Sequence, residues 1–398
     1  MADSSEGDAT TRDISLFVHV PFCRQKCAYC RLYGVSGRED AFDPFLTGLE
    51  REWEIVRREE GLEGRRLASL RVSGGTPSLL GGTRLGRLLG FLQRGLRIEE
   101  GCEITLEAYP DSIDRDLVES VLRAGYGRIN VGVHSFSDRD LAALDRGYRS
   151  DEVRRGLAAL REGGCANLGV DLVYGIPGQT AEDWQGSLEA VTACGGQHIA
   201  CSPLTPQEET LEEHLLRGRF EESELEESLF RQAREAEQRL VAAGYEQYEV
   251  SLFAQPGFRS RFEEHLLRRE PSYGLGPGAN SFDGTARWRN APDLDGYLAA
   301  LLGEQRRPER ERYRLSAVNQ AQEVLLLGLR RASGLRWEEV HRWLEPAVFS
   351  RMQRRAMVLR SQGFIEVTPE GMRLPPAARF VVHSIALVLM RTLGPEAA

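Results

Sequence analysis

Apolar runs and segments with helical spacing alternate along the first half of the chain. Six runs rich in β-branched and apolar residues predict strands, at residues 14–20, 67–73, 103–108, 128–134, 168–174 and 198–204. The intervening segments predict helices, at residues 42–58, 85–96, 114–124, 151–162 and 181–193. A βα period of about 30 residues is typical of parallel strands joined by crossover helices. We therefore expect an α/β fold whose six units form a partial (β/α)6 barrel.

The second half of the chain has a different pattern. A long acidic helix is predicted at 222–243, a further strand at 246–251, and weak periodicity follows over 256–290. Helical patterns from residue 317 onward lead into two short apolar segments near 364–367 and 372–374, which is typical of a winged-helix module. We expect a disordered tail at 1–13, the barrel at 14–250, an extension and linker at 251–312, and a helical, winged-helix-like module at 313–398.

Glycine and polar residues are concentrated where the predicted strands end. Gly74 and Gly75 follow the second strand, Glu107 lies near the end of the third, and His134 ends the fourth. Asp171 lies inside the apolar fifth strand, and a buried carboxylate needs a partner. In parallel α/β folds the carboxyl edge of the sheet holds the ligand, so we expect a site at this edge.

Three cysteines follow the first predicted strand. Cys23, Cys27 and Cys30 have the spacing C-x3-C-x2-C. Three thiolates can hold an iron–sulfur cluster, and a four-iron cluster would keep one iron open for a small molecule. A zinc site is the alternative, but no fourth ligand follows at a typical spacing. A disulfide with a spare thiol is the other alternative.

Composition argues against the disulfide alternative and against several kinds of partner. The chain has 398 residues, seven cysteines and a formal net charge of −9. The acidic start has no signal-peptide pattern, so we expect a cytoplasmic protein with reduced thiols. The apolar run at 381–389 is too short to span a bilayer, and acids interrupt the basic run at 306–312. We therefore expect no membrane span and no nucleic-acid partner.

Taken together, these motifs resemble the radical S-adenosylmethionine (SAM) superfamily, and within it the oxygen-independent coproporphyrinogen III oxidases and the heme chaperones called HemW. The carrying segments are HVPFC-x3-C-x-Y-C, GGTPS at 74–78, ITLEA at 104–108, RINVGVHSF at 128–136, DLVYGIPGQT at 171–180, QYEVSLFA at 247–254 and GLGPGA at 274–279. The resemblance covers about residues 14 to 385 and implies a [4Fe–4S] cluster on the three cysteines. It also implies that SAM binds the open iron and is cleaved by an electron from the cluster.

The resemblance also implies which residues bind SAM. They are Phe17, Tyr29, Gly74, Gly75, Thr76, Glu107, His134, Arg146 and Asp171. The two glycines with Thr76 would meet the SAM amino group, and Arg146 would pair with its carboxylate. Glu107 suits the ribose diol, and Tyr29 would shield the cluster or stack on adenine. Taken singly, Glu107 is a solvated strand-end charge and Arg146 a surface arginine.

Several positions depart from the family pattern. Leu32 stands where the oxidases have a further cysteine, which favours the HemW side. Phe17 replaces the usual tyrosine, and His134 replaces the usual glutamine. The H-N-x-x-Y-W segment linked to heme in HemW proteins is Phe262-Glu263-Glu264-His265-Leu266-Leu267 here, and Asn280 replaces a histidine.

Two functions follow from this pattern. The first is a HemW-like protein that holds a cluster and SAM, handles heme or another tetrapyrrole, and receives electrons from a donor. The alternative is a radical SAM methyltransferase or cyclopropanase that acts on a small unsaturated molecule. A third hypothesis, a non-enzymatic scaffold, does not explain why three cysteines are kept at this spacing. Coproporphyrinogen oxidation is not expected, because the fourth cysteine is missing.

Overall fold

A computed structural model describes residues 13–27, 29–204, 222–308 and 310–394. Its strands in chain order are β1 (Ile14–Val20), β2 (Phe22–Cys23), β3 (Val35–Ser36), β4 (Arg66–Gly74), β5 (Arg97–Ala108), β6 (Arg128–His134), β7 (Leu168–Tyr174), β8 (His198–Pro203), β9 (Glu246–Glu249), β10 (Leu252–Ala254), β11 (Ser272–Leu275), β12 (Asn280–Phe282), β13 (Ala286–Asn290), β14 (Arg310–Arg314), β15 (Leu335–Arg336), β16 (Glu366–Val367) and β17 (Gly371–Arg373). The predicted tail at 1–12 lies outside the described residues.

The α-helices connect these strands. In chain order they are α1 (Phe42–Glu59), α2 (Gly81–Leu92), α3 (Arg115–Ala124), α4 (Asp138–Ala143), α5 (Ser150–Glu162), α6 (Ala181–Ala193), α7 (Glu222–Ala242), α8 (Arg261–Leu267), α9 (Leu294–Leu298), α10 (Ala317–Arg330), α11 (Trp337–His341), α12 (Pro346–Ser361) and α13 (Val382–Met390).

One large mixed sheet forms the centre of the molecule. Strands β1, β4, β5, β6, β7 and β8 are neighbours in that order, and every adjacent pair is parallel. The α/β class and the six parallel units are therefore confirmed. Within the described residues the sheet continues on both sides, to β10 and β9 beyond β8 and to β11 through β14 beyond β1.

Two segments differ from their predicted structure. The strand expected at 246–251 ends earlier, at Glu249 in β9, and the antiparallel β10 follows it at Leu252–Ala254 with a register shift in their pairing. The segment expected to be an extension and linker supplies β11 to β14, and β11 pairs in parallel with β1. Its glycines and arginines hide the strand periodicity, while pairing with the neighbouring strands satisfies its backbone. The domain boundaries as a whole stay a prediction.

Amphipathic helices bury their apolar stripes against this sheet. In α1 the stripe runs through Phe45, Leu49, Trp53 and Val56, all at most 1% exposed. At the start of α3, Asp114 accepts a hydrogen bond of 2.8 Å from the backbone N–H of Leu117. Because these helices connect parallel strands, the carboxyl ends of the strands lie at one edge of the sheet.

The C-terminal module has its own core. Helices α10, α11 and α12 pack with a three-stranded sheet of order β15-β17-β16, in the winged-helix order of elements. The module meets the large sheet at β9, where the N–H of Val250 donates to the carbonyl of Arg330 at 3.1 Å. In the described part of the chain, the stretch Pro376–Leu393 is long and apolar enough to cross a membrane by length and composition alone, and a third of it is buried. Its residues Val382, Ile385 and Leu389 lie in the module core.

Candidate cluster and cofactor site

The three cysteines lie on the loop that leaves the carboxyl end of β1. Strand β2 holds Cys23 beside β3, and a turn follows in which the N–H of Cys30 donates to the carbonyl of Cys27 at 3.1 Å. All three thiols are half-buried and unbridged. They line one small cavity together with Gly74, Gly75, Thr76 and Arg146. The structure thus brings the predicted metal ligands next to the predicted glycine motif.

Glycine is required at the end of β4 because the cysteine loop passes directly over it. A Cβ on Gly75 would lie 2.4 Å from the carbonyl oxygen of Phe22 and 2.8 Å from Sγ of Cys23. Gly74 has a φ of 117°, which disfavours any side chain. The backbone N–H groups of Gly75 and Thr76 bond the carbonyls of Val20 and Phe22 at 2.7 and 2.6 Å. Because neither glycine has a side chain, the cavity beside the thiols is lined by the backbone of Gly74 and Gly75.

Burial favours the protonated form of two of the three thiols, Cys23 and Cys27. It raises the pKa of Cys23 to about 11, with a further contribution from the other two cysteines, while a hydrogen bond from Thr76 acts in the opposite direction. Burial also raises the pKa of Cys27, against the effect of Arg146. A metal that binds here must displace these protons, as it does at thiolate sites in general.

Arg146 reaches this cavity inside a cage of aromatic rings. Its Nη1 donates to Sγ of Cys27 at 2.8 Å. The guanidinium carbon lies 4.8 Å from the ring centre of Tyr109 and 5.5 Å from those of Tyr29 and Tyr148. Its Nε is shielded from solvent and has no hydrogen-bond partner in the described residues. The cage holds a cation beside the thiols, and within the described part of the chain no carboxylate forms a salt bridge with it.

His134 supports the same arginine from the end of β6. Its φ of 65° is left-handed, and the pairing of β6 with β7 shifts register at this point. Nη2 of Arg146 lies 2.9 Å from Nε2 of His134, and the hydroxyl of Tyr29 lies 3.3 Å from its Nδ1. Burial lowers the pKa of His134 well below its ordinary value, and the positive charge of Arg146 lowers it further. The imidazole is therefore neutral and able to accept from the guanidinium.

The carboxylate of Glu107 accepts hydrogen bonds from an arginine and a serine. Nε of Arg71 donates to Oε1 of Glu107 at 2.8 Å, and Ser73 donates to its other oxygen. Arg71 also pairs with Glu263 from α8. Glu107 is thus not the solvated strand-end charge of the simpler interpretation, and its carboxylate is fixed in orientation.

Asp171 faces a cavity inside the parallel sheet. This cavity has a volume of about 320 Å³, and its polar lining includes Arg71, Asn130, His134 and Glu263. Burial, followed by the charge of Glu107, raises the pKa of Asp171 to about 7. Phe17 also points inward, with its ring centre 6.1 Å from that of Phe262 and 6.3 Å from that of His19.

Three residues that line or support the site were not predicted from the sequence: Tyr109, Tyr148 and Glu263. Tyr109 directly follows β5, so the strand-end rule would have found it. Tyr148 lies in the loop before α5, and Glu263 lies on α8, 192 residues from its partner Arg71. No local pattern marks either of them, because only the folded sheet brings them to the site.

Of the heme-linked positions, Phe262 and Glu263 lie near the site, whereas His265 and Asn280 lie elsewhere. His265 is on α8, where its Nε2 lies 3.0 Å from the carbonyl oxygen of Pro271. It lines a cavity of about 610 Å³ at the amino-terminal edge of the strands, with Asp13, Arg66 and Cys102. Asn280 starts β12, opposite Arg289. His265 therefore belongs to the edge of the sheet opposite the cysteines.

Comparison with known proteins agrees with this arrangement. The sequence profile of the radical SAM superfamily matches residues 17–191. The heme chaperone HemW of Synechocystis sp. is 32% identical over 335 residues, which are 81% of this chain and 79% of that protein. This chain belongs to the radical SAM superfamily, in its HemW-like group. HemW of Bacillus subtilis is 27% identical over 372 residues, covering 90% of this chain and 96% of that protein.

The fold of this HemW-like protein is that of a solved radical SAM structure. Coproporphyrinogen III oxidase (HemN) from Escherichia coli superposes with a TM-score of 0.80 at 21% identity, over 96% of this chain and 90% of that one. The predicted radical SAM family and the HemW resemblance are confirmed by the sequence matches, and the structural match confirms the fold. Membership of this family implies a [4Fe–4S] cluster and SAM as cofactors.

Proposed function

We propose that this protein holds a [4Fe–4S] cluster on Cys23, Cys27 and Cys30, binds SAM beside it, and handles heme as a chaperone. One observation carries the proposal: the three thiols, the Gly74-Gly75 backbone and the caged Arg146 line a single cavity. The heme part is supported by the name of the relatives, heme chaperone HemW. Those relatives give no support to the methyltransferase or cyclopropanase alternative.

Different residues of the site suit different groups of SAM. Arg146, which forms no salt bridge within the described residues, suits the carboxylate of SAM by a bidentate pair. The backbone at Gly74 and Gly75 and the hydroxyl of Thr76 suit its amino group. Glu107, oriented by Arg71 and Ser73, and Asp171 face the region where a ribose would lie. When bound, the cluster supplies one electron, which a cytoplasmic donor protein would deliver.

The metal part is tested by anaerobic reconstitution of purified protein. Cys27→Ala should lose most of the iron and sulfide that the wild-type chain retains, about four of each per chain. Cys165→Ala is the matched control, because Cys165 is also half-buried but lies outside the site. A Cys27→Ala protein with a full cluster would overturn the assignment of the ligands.

The heme part is tested separately by titrating hemin into the reconstituted protein. Stoichiometric binding with a shift of the Soret band is the expected result. Absence of a shift would remove the chaperone function and leave the cluster assignment intact.

A further inference from the structure

A further cavity lies where the C-terminal module meets the parallel sheet. It has a volume of about 290 Å³ and lies among the ends of β7 and β8, helix α7 and the start of α13. Glu237, Gln247 and Ser251 line part of it, and the polar lining also has three arginines, a histidine and a second serine: Arg234, Arg330, Arg379, His383 and Ser202. We call these five residues the arginine pocket. Its volume is at the lower end of small-molecule sites, so it suits one end of a larger ligand.

Of the three arginines, Arg379 is the one that forms no salt bridge with a carboxylate of the described residues. Arg330 lies 2.5 Å from Oε1 of Glu249, and Arg234 pairs with Glu237 one helical turn away. Arg379 instead donates one N–H to the amide oxygen of Gln247, and its Nε has no hydrogen-bond partner in the described residues. Burial lowers its pKa, and Glu237 offsets only part of this effect. A half-buried guanidinium with unused donors is a site for an anionic acceptor.

The neighbouring groups suit a carboxylate in particular. Burial and Arg330 lower the pKa of His383, so its imidazole is neutral and has an N–H to donate. Ser202 adds a hydroxyl. Tyr174 and Phe380 supply aromatic surface at the same cavity. Charged donors beside aromatic surface fit a ligand with an acidic end and an apolar body.

The arginine pocket adjoins the cavity that Asp171 lines. Ser202 lines both cavities, and the chain passes from one to the other between Ser251 and Leu252. A ligand bound in the arginine pocket by its acidic end would therefore extend toward the cavity that Asp171 lines. We propose that the arginine pocket binds a carboxylate group of the tetrapyrrole, a heme propionate, through Arg379; this inference rests on the proposed heme function.

The test compares hemin with hemin dimethyl ester, in which both propionates are esterified. Wild-type protein should bind hemin at least tenfold more tightly than the ester. Arg379→Gln should weaken hemin binding by about ten- to a hundredfold, as expected for the loss of a charge-assisted hydrogen bond, and leave the ester unchanged. Arg379→Lys should recover part of the affinity. Arg355→Gln, an exposed arginine on α12, is the matched control and should bind as wild type.

The outcomes separate this inference from the proposed function. Equal binding of hemin and its ester, or normal hemin binding by both Arg379→Gln and Arg234→Gln with unchanged melting temperatures, would overturn the pocket and leave heme binding standing. If hemin does not bind wild-type protein, the heme function fails. In that case a melting experiment with succinate tests whether the pocket binds carboxylates at all. A higher melting temperature for wild type but not for Arg379→Gln would support a carboxylate site, and any other result would overturn it.

Discussion

At the scale of single residues, the site is organised around a cation held by rings. Arg146 contacts Cys27, His134 and three tyrosines, and it forms no salt bridge with an acid of the described residues. Tyrosine faces stabilise a guanidinium without competing for its hydrogen-bond donors. The arginine therefore stays available for a carboxylate ligand, which a salt bridge within the protein would have blocked.

Arg146→Lys is expected to weaken SAM binding about tenfold or more while the cluster still assembles. Lysine keeps the charge but loses the planar fork and the stacking on tyrosine. The measurement is a titration of reconstituted protein with SAM, followed by the EPR signal of the reduced cluster. Arg149→Lys serves as control, because that exposed arginine pairs with Asp138 away from the cysteines. Unchanged SAM affinity in Arg146→Lys would contradict the assigned role.

Asp171 predicts a pH dependence of stability. Its pKa is raised to about 7 in the fold, against 3.8 as the ordinary value, so the folded protein binds more protons than the unfolded chain between these values. Stability is therefore lost as the pH rises from about 4 to 7. Asp171→Asn removes this loss. Its stability relative to wild type should grow by about 2 kcal/mol between pH 5 and pH 8, since some solvent reaches the cavity.

Urea unfolding of the metal-free proteins at the two pH values measures this difference. Asp151→Asn is the control, because Asp151 is exposed at the start of α5. A constant difference between Asp171→Asn and wild type across the pH range would show that Asp171 is ionised in the fold.

At the scale of elements, the carboxyl edge of the parallel strands determines what meets at the site. Strands β1, β6 and β7 were predicted with their observed bounds, because continuous β-branched runs leave no other interpretation. Helix α2 begins at Gly81 rather than at the predicted residue 85, since a short 3₁₀ turn at Pro77–Leu80 brings the chain into the helix early.

The site could be predicted as far as each residue follows a strand. Gly75 and Glu107 were found in this way. The cage around Arg146 could not be found, because Tyr148 belongs to a loop and its contact with the arginine depends on the angle between β6 and α5. The pairing of Arg71 with Glu263 likewise depends on α8 packing across the sheet. Spacing along the chain carries no information on such contacts.

Gly75→Ala tests the close approach of β4 to the cysteine loop. The new methyl group would meet the carbonyl of Phe22 and Sγ of Cys23, so the loop must move. We expect a loss of about 1–3 kcal/mol in the free energy of unfolding and at least a halving of bound iron after reconstitution. Gly90→Ala is the matched control: nothing lies within 4 Å of its added methyl, and α2 should gain about 1 kcal/mol. Full iron content in Gly75→Ala would contradict the argument.

At the scale of the whole molecule, the C-terminal module is joined to the sheet by a buried ion pair. Glu249 ends β9 and is 2% exposed, and Arg330 ends α10 of the module. The N–H of Ser251 donates to the same carboxylate at 2.6 Å. Because the arginine pocket lies at this junction, the ion pair also fixes one wall of that pocket.

Removal of Arg330 alone should therefore cost more than removal of both charges. Arg330→Met leaves a buried carboxylate without its cation and should lower the free energy of unfolding by about 3 kcal/mol near pH 8. Burial already raises the pKa of Glu249, and without the arginine the carboxyl takes up a proton more readily, so the loss should shrink as the pH falls toward 5. The double variant Arg330→Met with Glu249→Gln should regain most of the stability at pH 8. Urea unfolding of the four proteins forms a double-mutant cycle, in which additive losses would show that the pair does not couple the module to the sheet.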